Sequence, residues 1–230
     1  MNNFFRFPHT PHIAWLAVGK PRDDKVLSQD ETRGLLIGDV VIEEKLDGAN
    51  LGFSLDSDGN IQAQNRGQYL LAPYSGQFAR LSQWLAQHSD TLSNVLSDDL
   101  ILFGEWCAAK HSIAYEALPD WFLVFDVYNK TQKQFWSTRR RNALVAEMGL
   151  FTVPELKRAK FTVSDLKVLL AGQPSRFQSG PMEGIVIRRD SADWCEGRAK
   201  LVQADFTQSI GEHWSRRSIK WNRLSDKVSQ

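Results

Sequence analysis

Short apolar segments separated by tight turns fill the centre of the sequence, and they restrict the fold more than any other feature. Residues 39–45 and 50–56 are predicted to be strands, and the turn at Asp58-Gly59 leads into a third strand at 60–66. No regular alternation of strand and crossover helix follows. This pattern predicts an α+β domain rich in antiparallel sheet rather than a Rossmann fold.

The rest of the chain mixes further strands with helices. The other predicted strands are short and apolar, and they lie at 100–106, 121–129, 134–136, 183–189 and 199–203. Helical spacing of apolar residues predicts a packing helix over 76–88. Two more helices are predicted where Thr138 and Ser164 supply N-caps and where Gly149 and Gly172 end the helical pattern.

Composition excludes several classes of protein. The 230 residues, 42% hydrophobic and 24% charged, favour one globular domain over residues 1–230 without an internal linker. The apolar runs are far shorter than the roughly 20 residues of a membrane-spanning helix, and the N-terminus does not fit a signal peptide. Cys107 and Cys195 form no CxxC pair, so we expect buried thiols in a reducing cytoplasm and no zinc site.

Basic residues are concentrated near the C-terminus, although the formal charge of the chain is only +1. Two tryptophans alternate there with basic side chains, namely Trp214, Trp221, Arg216, Arg217, Lys220 and Arg223. A basic and aromatic tail over 204–230 could bind nucleic-acid phosphates while its rings stack on bases. It could equally be a helix that closes the domain with its tryptophans.

Lys45 lies in a predicted turn between the first two strands, within Lys45-Leu46-Asp47-Gly48. Its amine is a candidate nucleophile. The alternative is a solvated turn lysine followed by a helpful glycine. At average amino-acid usage, the K-x-D-G spacing arises by chance in about one chain of this length in twenty. The motif alone therefore indicates little.

Five further motifs follow in order, each at a predicted strand end: Asn65-Arg66-Gly67, Phe103-Gly104-Glu105, residues 122–126, 183–188 and 198–202. Together with the Lys45 turn, they resemble the successive motifs of the covalent nucleotidyltransferases, which are the ATP-dependent ligases and capping enzymes. The spacing is most similar to that of nick-sealing, phage-type RNA ligases, over residues 39–203. The resemblance implies their antiparallel-sheet-rich, ATP-grasp-like adenylation domain.

The resemblance implies a reaction in three steps. Lys45 would attack the α-phosphorus of ATP and expel pyrophosphate, leaving AMP on its amine. The AMP would pass to a 5′-phosphate end, which would then be joined to a 3′-hydroxyl end of RNA, as in RNA repair. Because a free lysine has a pKa near 10.4, burial, a neighbouring cation such as Lys200 or a bound metal must lower that pKa.

The resemblance also implies roles for individual residues. Those expected to bind the nucleotide are Glu44, Asn50, Arg66, Glu105, Phe125 and Arg198. Glu44 and the adjoining backbone would recognise adenine, Phe125 would stack on it, and Arg66 and Glu105 would hold the ribose or the adjacent phosphate. Without the motifs, Phe125 would be interpreted as a core residue and Arg66 as a surface turn residue.

Charge at the phosphates is assigned to the last two motifs. Lys200 would neutralise the α-phosphate in the transition state. Arg198 stands where many relatives have lysine, so it is expected to grip phosphate rather than to share a proton. Glu183 is the candidate ligand for Mg²⁺ or Mn²⁺, directly or through water. Asp126 could assist or be a strand-end residue, and Asp47 could orient the loop or contact substrate.

Other functions stay open from the sequence. Only thirty residues follow Lys200, too few for the OB-fold domain of DNA ligases and capping enzymes, so the tail or a repair-protein partner would have to help grip the substrate. The alternatives are a ligase for DNA or mixed duplexes, GTP-dependent capping, which the absent domain weakens most, and an inactive module that binds nucleic-acid ends. His9 and His12 lie in a strand-like lead-in, to which no site is assigned.

Overall fold

The computed structural model of the protein describes residues 4–19, 21, 25–208 and 218–226. Its strands are β1 (Val40–Lys45), β2 (Ala49–Leu55), β3 (Ile61–Gln64), β4 (Tyr69–Leu70), β5 (Leu100–Trp106), β6 (Phe122–Asn129), β7 (Gln134–Phe135), β8 (Phe151–Thr152), β9 (Glu155–Ala159), β10 (Gly184–Asp190) and β11 (Cys195–Val202). Its helices are α1 (Gln29–Leu35), α2 (Leu81–Val95), α3 (Thr138–Glu147), α4 (Val163–Gly172) and α5 (Ala204–Gln208).

The strands form two sheets. The small sheet has the order β11-β10-β1-β9, with every neighbouring pair antiparallel. The large sheet has the order β4-β3-β2-β5-β6-β7, and β8 pairs in parallel with β6. The predicted α+β fold with antiparallel sheets is therefore confirmed, and the eight strands predicted from the sequence all form.

Each sheet buries one apolar face under helices. In the small sheet, Val40 and Ile42 of β1 pack with Leu166 and Leu170 of α4 in one core cluster. In the large sheet, Trp84 of α2 joins a second cluster, which contains the interior residues of β2, β5 and β6. The alternation of side chains along each strand leaves the opposite face available for polar groups.

The helix starts differ from the sequence predictions. Thr138 does not cap α3, because its amide and hydroxyl both donate to Asp190 at 2.7 Å, and Ser137 is the N-cap instead. Thr162 rather than Ser164 caps α4, through a capping box with Asp165. The helix predicted over 76–88 begins at Leu81, after a 3₁₀ turn at Gly76–Phe78, and continues to Val95.

Both predicted C-terminal stops hold. Gly149 has a φ of +64°, which an L-residue adopts only with strain, and Gly172 is the last residue of α4. Sequence reasoning missed α1, whose capping box of Ser28 and Glu31 is visible in the sequence. It also missed the short strands β4, β8 and β9.

The described part of the C-terminal segment, residues 218–226, packs on the loop over 107–118. Trp221 pairs with Ala109, and buried Asn222 accepts from Tyr115 N at 2.9 Å and donates to Cys107 O at 2.7 Å. Trp221 packs against the core of the large sheet, as one interpretation of the tail predicted, but residues 218–226 do not form the α-helix that this interpretation required. Trp214, Arg216 and Arg217 lie outside the described residues. Within the described ranges, no helix has the length and apolarity needed to span a membrane.

Candidate active site

The chain crosses from the small sheet to the large sheet at the Lys45 turn. Lys45 is the last residue of β1, and Ala49 is the first residue of β2. A cavity of about 490 Å³ lies at this crossing. Eight sequence-predicted residues line it: Glu44, Lys45, Asn50, Arg66, Glu105, Phe125, Arg198 and Lys200. Residues separated by more than 150 positions are thereby brought to one place.

Glu183, the remaining predicted residue, contacts Lys45 directly. Lys45 pairs with Gly184 across β1 and β10, so Glu183 lies just before the start of the neighbouring strand. Nζ of Lys45 lies 2.7 Å from each carboxylate oxygen of Glu183. The two side chains are only 27% and 15% exposed, so water screens their attraction weakly.

The charge state of Lys45 differs from the expected one. Burial disfavours the ammonium, but the carboxylates of Glu183 and then Glu105 outweigh burial and raise the pKa of Lys45 above its ordinary value. Burial also raises the pKa of Glu183, against the opposing effect of Lys45. These carboxylates therefore favour the protonated amine, which is opposite to the lowered pKa that attack requires.

Glu105 is held beside the Lys45 turn by a close backbone approach. Its Oε1 accepts from Gly48 N at 3.0 Å. A Cβ on Gly48 would lie 2.6 Å from the carbonyl oxygen of Trp106, so this turn requires glycine. Burial raises the pKa of Glu105 to about 7. Lys45 opposes this rise, while repulsion from Glu183 and Asp47 adds to it.

Asp47 anchors the turn rather than facing the cavity. Its Oδ2 accepts from the amides of Ser112 and Ile113 at 2.6 and 2.8 Å. Its own amide donates to the hydroxyl of Tyr115 at 2.7 Å. Of the two roles open from the sequence, these contacts favour orientation of the loop that carries Lys45.

Phe125 is the extra residue of a β-bulge. Phe103 pairs with Asp126 and Gly104 pairs with Val124, so Phe125 has no partner on β5. The bulged carbonyl accepts from Arg141 at 2.7 Å and from Arg188 at 3.1 Å. The half-buried Phe125 ring lines the cavity, which is the position that its predicted stacking role needs.

Arg198, which was predicted to bind phosphate, is held by more contacts within the protein than that role requires. Its guanidinium lies 2.5 Å from Asp126 and within 4.0 and 4.6 Å of the ring centroids of Phe135 and Phe7. Asp126 also accepts from Arg188 at 2.6 Å. Asp126 therefore neutralises the buried Arg188 and the partly buried Arg198, and these contacts favour a structural role over metal binding.

Glu44 is buried and its carboxylate is already engaged. One oxygen accepts from Ser175 Oγ at 2.5 Å and the other from Arg176 N at 2.9 Å. Burial raises the pKa of this carboxyl, and these two hydrogen bonds oppose the rise. The carboxylate thus ties the end of β1 to the loop that leads to Glu183.

Two cavity residues carry polar atoms that suit a ligand. Asn50 Oδ1 and Arg66 Nε are buried without a hydrogen-bond partner within the described structure. Such atoms are costly unless a ligand or water satisfies them. One acceptor and one guanidinium donor match the hydroxyl and phosphate groups of a nucleotide.

Lys200 lines the cavity from β11 opposite Val186. Its positive charge opposes the rise that burial causes in the pKa of Glu183, so the two groups are near enough to interact. Among the described residues, no three His, Cys, Asp or Glu side chains group as a metal site. Mg²⁺ needs only one or two carboxylates, however, and Glu183 with Glu105 fits that requirement.

The cavity-lining residues that sequence reasoning missed include Phe7, Thr10, Gln77 and His111. Nε2 of His111 lies 2.8 Å from Oε1 of Gln77, and burial lowers the pKa of this histidine. None of the four belongs to a motif with its own chemistry, so no local signal marked them. The lead-in to which no site was assigned therefore contributes Phe7 and Thr10 to the cavity.

Comparisons with known proteins identify a family and a similar fold. The RNA ligase family model matches residues 38–202. A mutant of the Naegleria gruberi RNA ligase with ATP and Mn superposes with a TM-score of 0.61 at 18% identity, over 79% of this chain and 54% of that one. An archaeal ATP-dependent RNA ligase gives 0.58 at 21% identity, over 86% and 48%. The chain thus spans about half the length of these ligases. None of the curated proteins matches the sequence.

Proposed function

The chain belongs to the RNA ligase family, and from this premise we propose that it is an ATP-dependent RNA ligase that becomes adenylylated on Lys45. One observation carries the proposal: Lys45 Nζ is paired with Glu183 at 2.7 Å beside a cavity of about 490 Å³. The pair brings together an amine that can attack phosphorus and a carboxylate that can bind a metal ion in place of the amine.

In the first step the neutral Nζ of Lys45 forms a bond to the α-phosphorus of ATP, and the bond to pyrophosphate breaks. When bound, a divalent cation neutralises charge on the triphosphate, and Glu183 with Glu105 would hold it. If Glu183 held such a cation, Lys45 would lose the main carboxylate that raises its pKa, and burial would favour the neutral amine. Lys200 stabilises the charge that develops on the α-phosphate.

We assign nucleotide binding to the other residues that line the cavity. Phe125 stacks on adenine from its bulge, and the unpartnered atoms of Asn50 and Arg66 take the ribose or the adjacent phosphate. Because both Glu44 oxygens are occupied, we assign adenine recognition to the groups adjoining Glu44 rather than to its carboxylate. Arg198 lines the phosphate side and is held there by Asp126.

The later steps return Lys45 to its free state. The 5′-phosphate of an RNA end takes AMP from Lys45, and the 3′-hydroxyl of a second end then attacks that phosphate and releases AMP. The chain spans about half the length of the ligases that it resembles, so the preference for RNA at both ends is part of what we propose.

Sealing of defined nicks tests this function. Duplexes with RNA on both sides of the nick, DNA on both sides, or one of each are incubated with Mg²⁺ and with ATP or GTP. We expect ATP-dependent sealing when RNA flanks the nick, and none with Lys45→Ala. Sealing of DNA alone would favour a DNA ligase, sealing of mixed nicks a mixed-duplex ligase, and tight binding of ends without sealing an inactive module.

A further inference from the structure

Residues 4–13, which we call the N-terminal strap, run across both sheets beside the cavity. The strap lies outside the residues matched by the family model, which begin at 38. At the large sheet, Gln64 Nε2 donates to the carbonyl of Phe5 at 2.8 Å, and the Phe5 ring stacks on Tyr128 with centroids 3.7 Å apart. A polar and an aromatic contact thus fix this end of the strap.

The other end of the strap pairs with the small sheet at Lys200. The amide of Lys200 donates to the carbonyl of Pro11 at 2.8 Å, and the amide of Ile13 donates to the carbonyl of Lys200 at 2.9 Å. Both backbone groups of the predicted phosphate-neutralising lysine are therefore held by the strap. The strap therefore fixes the backbone of β11 at Lys200, the residue whose side chain lines the cavity.

Between these two ends of the strap, Phe7 contacts Phe125 and Arg198, two cavity residues that we assign to nucleotide binding. It is only 4% exposed and lines the cavity. Its ring packs against Phe125 at 5.2 Å and 66°, and the Arg198 guanidinium lies over it at 4.6 Å. Edge-to-face and cation–π contacts fix the orientation of both partners.

We propose that the N-terminal strap completes the nucleotide site and that Phe7 is a positioning residue, which holds Phe125 and Arg198 in their cavity-facing orientations. The inference rests on the proposed function, since it concerns the same site. It adds a segment without a nucleotidyltransferase motif to the set of residues that determine affinity for ATP.

The test compares Phe7→Leu with Phe4→Leu. Phe4 belongs to the same strap and packs edge-on against Tyr69 at 5.2 Å, but it is not among the residues that line the cavity. For lysyl-AMP formation we expect Phe7→Leu to raise the KM for ATP about 3- to 10-fold with kcat changed less than about 2-fold, from the typical strength of an aromatic pair. Phe7→Tyr, which keeps the ring, should restore the KM, and Phe4→Leu should leave it unchanged.

A purely structural strap would lower the thermal stability of both leucine variants alike and leave both KM values unchanged, which would overturn the inference. ATP binding by calorimetry, in a Lys45→Ala background, gives the same comparison without covalent chemistry. If the unaltered protein forms no lysyl-AMP, the proposed function fails, while the binding comparison still decides the role of Phe7.

Amide exchange in the unaltered protein decides the matter if Phe7→Leu does not fold. ATP should slow exchange over residues 4–13 as well as in β10. Slowing in β10 with unchanged exchange in the strap would contradict the inference.

Discussion

Nζ of Lys45 lies 2.7 Å from both carboxylate oxygens of Glu183, between the neighbouring strands β1 and β10. The carboxylate of Glu183 raises the pKa of the partly buried Lys45 and so favours its charged form. The same carboxylate is the candidate metal ligand, so the proposed mechanism couples metal binding to loss of the lysine proton through one residue.

Replacing Glu183 by Gln should move the pH dependence of lysyl-AMP formation. In the unaltered protein kcat/KM for ATP should still rise up to pH 10, because the pKa of Lys45 in the free enzyme is raised above its ordinary value. Glu183→Gln removes a carboxylate that raises this pKa and leaves burial, so the rising limb should move to lower pH while the maximum rate falls.

Single-turnover rates of lysyl-AMP formation, taken at several ATP concentrations from pH 6 to pH 10, measure this shift. Glu147→Gln, on the exposed part of α3, is the control for removal of a carboxylate. A limb that stays in place or moves to higher pH in Glu183→Gln would exclude Glu183 as the group that sets the charge of Lys45.

Glu105 should make stability depend on pH. Its folded-state pKa of about 7 lies above the ordinary 4.5, so between these values the folded state binds more protons than the unfolded state. The free energy of unfolding should therefore fall as pH rises through this window, by at most about 1.4 kcal/mol per pH unit for one proton. Urea unfolding at pH 5 and pH 8 measures the change, which Glu105→Gln should diminish. Equal slopes in both proteins would contradict this assignment.

Asp47→Ala should loosen the Lys45 turn. The change leaves the amides of Ser112 and Ile113 without their acceptor, at a cost of about 1–3 kcal/mol in the free energy of unfolding. We expect a larger loss in kcat than in affinity for ATP, because the contacts of Asp47 orient the loop. Asp47→Asn, which keeps an acceptor oxygen, should lose less of both. If Asp47→Ala mainly weakened ATP binding, Asp47 would contact the nucleotide instead.

Different residues of the segment 218–226 should stabilise the fold and bind nucleic acid. Asn222→Ala should cost about 1–3 kcal/mol of stability, because it removes the partner of Tyr115 N and of Cys107 O.

Exposed Lys220 and Arg223 should instead contribute to the salt dependence of RNA binding, with a slope reduced by about 1 for each Gln substitution. Truncation would mix the two effects, so binding of a nicked duplex by the point variants at several salt concentrations is the cleaner test. An unchanged slope would leave these charges without a role in binding.

Much of the fold could be predicted from the sequence, because hairpins and apolar strands are local patterns. The motifs also fall at the cavity, since each lies near a strand end. What could not be predicted depends on distant contacts. The carboxylate of Glu44 is claimed by Ser175 and Arg176, and Thr138 fails as a cap because Asp190 takes its hydrogen bonds. Phe7 carries no chemistry of its own, and only the tertiary structure brings it to Phe125.

The intact mass of the protein after incubation with Mg²⁺ and ATP is the most direct test of the central claim. The account predicts the added mass of one AMP, mapped to the peptide that contains Lys45, absent from Lys45→Ala and present in Lys157→Ala, which alters an exposed lysine on β9. Pyrophosphate should remove the adduct. No adduct in a folded sample cleared of bound nucleotide, or an adduct that persists in Lys45→Ala, would contradict the account.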